Sequence, residues 1–372
     1  MFAERNSLIE YILFVVRKII IKLTNVCAIS LVLLFNILYE TQTKKIEIFS
    51  VTFHSQISYR SMRIFFFLSV ILSSGFPALA QLSETDVKYY SDLEDSLKHI
   101  QTRVFFSKKE ANRFEANKQF IALWNVILKD EKSMLYPFDS IKEVSRLMAP
   151  DKKFRIITWN MLKEDQTHAF FGFIQVNNTK TIKKGMFKKE TTSQYEYFPL
   201  LDKSASVKTP ENYVSDPSKW FGMLYYDVIK SDDDFYTLFG WDGNDKLTQR
   251  KFIDILYFKP DGTPMFGKDV FKFPGKFAKR IMFEYAGEVA MSLKYNTNRK
   301  QIIFSHLAPN TLDPTLEGQH QYYGPDGSFD ALSMKKGTWV YEPAIDIRKD
   351  KDRNDDAKKP EPNKQKAIYK PK

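Results

Sequence analysis

The chain has 372 residues, 56 Lys and Arg against 45 Asp and Glu, a formal net charge of +11 and an aromatic share of 15%. That length allows a sizeable core, and a single cysteine, Cys27, excludes a disulfide framework. The charge does not mark a nucleic-acid-binding face. Residues 1–80 hold 8 basic and 4 acidic residues and residues 348–372 hold 10 and 5, which leaves 38 against 36 in residues 81–347.

Residues 1–61 include an apolar stretch, 11–39, broken by Arg17, Lys18 and Lys22. Its uncharged window, 23–39, only approaches the roughly 20 residues that span a bilayer. Residues 62–80 then have the anatomy of a secretory signal peptide: Arg63, an apolar run, the breakers Gly75 and Pro77, and Ala78 and Ala80 spaced for cleavage before Gln81. A start codon placed too far upstream accounts for both segments; a membrane anchor or a second targeting element is the alternative. Cys27 lies before the cleavage point, so the mature chain has no thiol nucleophile and no lipid-accepting cysteine. The expected location is periplasmic or secreted, with membrane attachment only if residues 1–61 are retained.

Residues 81–150 read as helical. Ser83 with Asp86 and Ser107 with Glu110 each fit a capping box. Residues 107–131 carry Ala111, Phe114, Lys118, Ile121 and Leu128 near one stripe. A third short helix or a strand is expected over 140–148. From Asp151 the period becomes two, with strands expected over 154–160, 169–176, 220–229, 235–241, 251–258, 280–285, 291–295, 301–307 and 339–341. Asp242-Gly243, Pro260-Asp261-Gly262, Asn296-Thr297-Asn298 and Pro325-Asp326-Gly327 supply turn chemistry. Such short connections imply antiparallel pairing. The expected fold is α+β: a short helical segment packed on a large antiparallel β domain, 151–347, curled as a sandwich, barrel or propeller-like meander. Residues 177–216 read as a polar excursion around 198–201, and 348–372 as a disordered charged tail.

No nucleophile elbow, HExxH helix, phosphate loop or dinucleotide fingerprint occurs. Ser333-Met334-Lys335-Lys336 matches S-x-x-K without the partners that motif requires. Asp350, Asp352, Asn354 and Glu361 sit at EF-hand offsets without the central glycine. The mature histidines are His99, His168, His306 and His320. His306 and His320, with Asp313, Glu317 or Asp326, are the candidates for acid–base chemistry or zinc, although His306 on an apolar strand face also reads as a half-buried structural residue. Trp220, Trp241, Asp242 and Asn244 are the candidate ligand-binding set, because aromatic rings stack on sugars and neighbouring amides or carboxylates bond hydroxyls. The competing reading is core packing, with aromatic rings lying over bare glycine backbone. No metal site and no cofactor are expected.

At the residues WFGMLYY (220–226) and LFGWDGN (238–244) the chain resembles a group of secreted bacterial proteins of unassigned function, and the likeness extends over residues 62–346. The resemblance implies export and assigns no site residue. Together these readings point to an exported, non-enzymatic protein that binds a partner or an envelope component, with no nucleic acid expected. A secreted hydrolase using His306 or His320, and a carbohydrate-binding module using Trp220, Trp241 or Trp339, are the alternatives.

Overall fold

The computed structural model describes residues 82–178, 180–184, 188–192, 195–232, 234–310 and 313–348. All lie in the second of two compact units, Ala80–Lys372. The signal-peptide and EF-hand readings fall outside the described residues. No helix among those described is long and apolar enough to cross a membrane.

The unit is mostly β-sheet, preceded by two helices, α1 (Glu84–Phe106) and α2 (Glu110–Leu128). Ser83 caps α1 as expected: its hydroxyl accepts from the Asp86 amide while the Asp86 carboxylate accepts from the Ser83 amide. The second capping box does not form. Ser107 closes α1, and Lys109 starts α2 without a side-chain bond. Glu110 instead exchanges amide-to-carboxylate bonds with Glu164, 54 residues away, so a long-range contact displaces the local cap.

Strands β1 (Ser145–Met148), β2 (Phe154–Leu162), β3 (His168–Asn177) and β6 (Tyr195–Leu201) form the first sheet, in the order β1-β2-β3-β6. The expected excursion therefore contains β6 and a separate hairpin, β4 (Lys180–Lys184) with β5 (Lys188–Thr192). Residues 145–148, ambiguous in sequence, form β1. The second sheet runs β10-β9-β8-β7, using β7 (Leu224–Asp232), β8 (Phe235–Asp242), β9 (Thr248–Phe258) and β10 (Pro264–Phe266), and β9 also pairs β13 (Ile281–Ala286). The third runs β12-β11-β17-β16-β15-β14, using β11 (Phe271–Phe273), β12 (Lys276–Ala278), β14 (Leu293–Asn296), β15 (Gln301–Pro309), β16 (Tyr323–Lys335) and β17 (Thr338–Glu342). Pairing is antiparallel except for β11 beside β17, which is parallel.

Three apolar clusters link these layers. On β2, Ile157, Trp159 and Met161 join Leu97, Phe120 and Trp124 of the helices, while Phe154 and Ile156 join Leu238, Phe252 and Leu256 of the second sheet. The opposite face of that sheet, with Phe239, Ile253 and Ile255, meets Phe271, Ile302, Leu332 and Trp339 of the third. Because the second sheet is covered on both sides, residues 235–240 are all buried and show no alternation.

Two turn expectations change. Pro325-Asp326-Gly327 lies inside β16, where residues 326–328 bulge opposite His306 between the pairs Ser305–Phe329 and Leu307–Pro325, with Gly327 at φ +90°. At the β14–β15 turn the positive φ falls on Lys300, and the Asn296 side chain instead accepts from the Arg299 amide.

Between the first two sheets, Asp254 and Arg280 are both fully buried and paired at 3.0 Å. Asp254 Oδ2 also accepts from the Tyr225 hydroxyl at 2.9 Å, and Arg280 donates to the Pro210 carbonyl at 3.1 Å. Asp254→Ala is expected to cost roughly 3–5 kcal/mol, because it leaves a buried guanidinium without its anion. Replacing both partners with apolar residues is expected to recover most of that loss. Urea unfolding of the single and double variants measures both; equal losses would refute the assignment.

Candidate functional site

The strongest candidate is a cleft of about 440 Å³ lined by Phe170, Val207, Phe221 and Met282 and by His168, Asp242, Asn244 and Arg250. It gathers the start of β3, the end of β8, the start of β9 and the 204–210 loop.

Cross-strand register builds its polar floor. Asp242 on β8 lies opposite Arg250 on β9, and Arg250 lies opposite Glu284 on β13. One cation thus stands between two acids. Arg250 Nε donates to Glu284 Oε2 at 2.8 Å, and Thr248 donates to Glu284 Oε1 at 3.0 Å. Asp242 is left with the Asn244 amide, which donates to Oδ1 at 2.7 Å. Burial pushes the Asp242 carboxyl up to about 6; the Asn244 bond and Arg250 oppose the rise, and Asp202 and Glu284 add to it. Asn244 adopts φ +50° and its side-chain amide donates to Thr248 at 2.6 Å, tying the loop back onto β9.

His168 forms the opposite wall. Asn160 Nδ2 lies 2.7 Å from His168 Nδ1. Since the amide donates, Nδ1 is the acceptor and Nε2 carries the proton in the neutral ring. Burial, with Lys163 second, holds the imidazole below its ordinary range. Trp241 meets the ring edge-on at 5.4 Å. Gly243 is required here, because a Cβ on it would come within 2.1 Å of His168 Nε2. At Gly222 a Cβ would fall within 2.6 Å of the Asp202 carboxylate, which accepts from the Gly222 amide at 3.1 Å. At Gly240 it would strike Met223 Sδ. Gly222 and Gly240 therefore accommodate a carboxylate and a thioether, not the aromatic rings that core packing implied, while Gly243 accommodates the His168 imidazole.

The sequence candidates separate. Asp242 and Asn244 enter the cleft, and Trp241 stands half-buried beside it. Trp220 is fully buried, its Nε1 donating to the Tyr225 hydroxyl at 3.2 Å, so it is core and offers no stacking surface. Trp339 is likewise buried, donating to Thr237 at 3.0 Å. His306, half-exposed on β15, bonds the buried Asp330 at 2.7 Å; the Tyr341 hydroxyl and the Ala344 amide also donate to Asp330, each at 2.8 Å. Asp326 is exposed. Burial tends to raise its carboxyl, but the Ser328 hydroxyl and amide and His306 hold it below the usual range. His320 is exposed in a short turn with its ring 5.2 Å from Tyr323. Among the described residues, no three His, Cys, Asp or Glu side chains are arranged to hold a metal. Ser333 of the S-x-x-K match is buried and accepts from Gln301 at 2.9 Å.

Sequence reasoning passed over His168, Arg250 and Asn160. The usable signal was Gly243 beside Asp242, a glycine forced by a neighbour; the neighbour itself depends on register between distant strands. Searches of family models, curated proteins and solved structures return no match to this chain.

Asp242 supplies a pH prediction. Its folded pKa lies above the unfolded value, so its contribution is present below about pH 4 and lost as pH rises through about 6. Relative to Asp242→Asn, which does not titrate, the native chain is expected to lose roughly 2–3 kcal/mol of stability between about pH 4 and pH 7. Chemical unfolding of both chains across that window reads the difference; parallel curves would exclude the shift.

Proposed function

We propose that this chain is an exported, non-enzymatic binding protein that holds a neutral, hydroxyl-rich component of the cell envelope, a sugar ring, in the His168–Asp242–Asn244–Arg250 cleft. The observation that supports this reading is the convergence of Asp242 and Asn244 with a neutral imidazole and an arginine on one cavity that also has the apolar walls Phe170, Phe221 and Met282. A ring with one apolar face and a hydroxyl rim matches both kinds of wall. The cleft is read as a binding site because its polar groups are tied to one another, Arg250 to Glu284 and His168 to Asn160. Asp242 Oδ2 is left as the acceptor for a ligand hydroxyl. Export rests on the signal-peptide anatomy of residues 62–80. In the same reading the three sheets form a layered sandwich behind the helices, with the cleft at one end of the second sheet.

The test is titration of the chain with maltose and with the N-acetylglucosamine disaccharide, followed by tryptophan fluorescence, since Trp241 adjoins His168. A saturable change is expected, with affinity weakened about tenfold or more in Asp242→Ala and Asn244→Ala. Absence of any change at about 10 mM sugar would refute the reading.

A second reading is favoured by one contact. The His306 Nδ1–Asp330 bond leaves Nε2 available as a general base oriented by a buried carboxylate, as a secreted hydrolase would require. It predicts ester or glycoside hydrolysis abolished by His306→Ala with the unfolding midpoint unchanged, and hydrolysis surviving that substitution would end it.

A further inference from the structure

A second cavity, a groove of about 590 Å³, opens beside the cleft. Its size falls in the range of small-molecule sites. Val104, Phe106, Met161, Leu162, Leu224 and Tyr226 give it mainly apolar walls. Three of these are exposed, Phe106 by 64%, Leu162 by 46% and Tyr226 by 37%. Large apolar side chains scattered singly on a surface need no explanation, but several gathered on one concavity mark a binding site. Arg113 also lines the groove, yet its guanidinium is spent on the Ser107, Lys108 and Leu162 carbonyls. Lys142 and Glu143, on the same rim, offset each other in charge.

Strand register sets this groove against the cleft. In the β2–β3 pair Asn160 lies opposite Phe170 and Leu162 opposite His168, and directly opposite residues share a face of the sheet. One face of the hairpin thus supplies Asn160 and Leu162 to the groove and His168 and Phe170 to the cleft. On β7 and β8, Leu224 of the groove pairs with Trp241, the residue before Asp242 of the cleft. Between the two cavities stands the Asn160–His168 bond, with Trp241 edge-on to the imidazole. A polar cleft and an apolar groove therefore meet across one pair of side chains.

We propose that the groove receives the hydrocarbon chain of an amphiphile whose hydroxylated head occupies the cleft, so that the ligand is a sugar linked to an alkyl or acyl chain. This rests on the sugar reading of the cleft and adds the second half of the ligand. The groove adjoins the head site, and its free surface is apolar. A bare sugar in the cleft leaves Phe106, Leu162 and Tyr226 facing water, whereas an attached chain covers them, and burial of apolar surface favours binding. The Asn160–His168 pair marks the point at which the polar head gives way to the chain.

The experiment is calorimetric titration of the full chain with maltose, with octyl maltoside below its micellar concentration, and with octyl sulfobetaine, which has the same chain and no sugar. Each buried methylene contributes about a fourfold factor, so a half-covered octyl chain is expected to raise affinity about 100-fold or more over maltose. The decisive variant is Phe106→Ser with Leu162→Ser, two exposed positions whose substitution leaves the core intact. It is expected to lose most of the advantage of octyl maltoside and to keep the native affinity for maltose. Equal affinities for maltose and octyl maltoside would overturn the proposal and leave the sugar reading standing. An advantage undiminished in the double variant would place the chain elsewhere and overturn the proposal as well. No response to maltose, with octyl maltoside and octyl sulfobetaine binding alike, would end both readings. Self-association of the native chain, abolished by the same two substitutions, would assign the groove to a second copy and refute the amphiphile.

Discussion

The middle of the second sheet is covered on both faces, and this constraint organises the molecule. A polar group buried there must find a partner inside the protein, because an unpaired one would lose its hydration without compensation. Thr237 is met by the Trp339 indole, Asp254 by Arg280 and Tyr225, and Thr158 of the first sheet accepts from the Tyr225 amide. The same row logic reaches the end of the sheet at Asp242, Arg250 and Glu284, where the covering layers stop and the cleft opens. There the accounting no longer closes: the one guanidinium bonds Glu284, and Asp242 retains a single amide partner. The candidate site lies where the second sheet's internal pairing runs out.

This explains what was legible in the sequence. Period-two runs such as 251–258 and 301–307 were readable because β-branched and aromatic residues mark a pleated surface, and Ser83-x-x-Asp86 was readable because a capping box is local. Layer order was not readable, since it depends on which face of β2 meets the helices and which meets β8 and β9, and both faces are apolar. The failed cap at Ser107 and the bulge at 326–328 share one cause. A local signal was overridden by a distant partner, Glu164 in the first case and the β15 register in the second. Asp242 and Asn244 were found because turn residues beside aromatic rings are conspicuous. Arg250 and His168 were not, because only register sets them beside Asp242.

The glycines carry a related lesson. In sequence, Gly222 and Gly240 each adjoin an aromatic residue, whereas Gly243 lies in the Asp242-Gly243 turn two residues after Trp241. In the fold each meets a different group, and one of those groups, the His168 ring, lines the cleft. Bare backbone at Gly243 lets the imidazole approach closely enough to form a wall, and the bond from Asn160 settles which nitrogen carries the proton. The chemistry of the cleft is thus written partly in residues that have no side chain.

Charge needs the same local treatment. Summed over residues 81–347, the positive and negative side chains nearly cancel, which argued against a polyanion-binding face. A surface charge, however, acts over about 8 Å at physiological ionic strength, so a sum over a whole domain averages across distances at which screening has already isolated the parts.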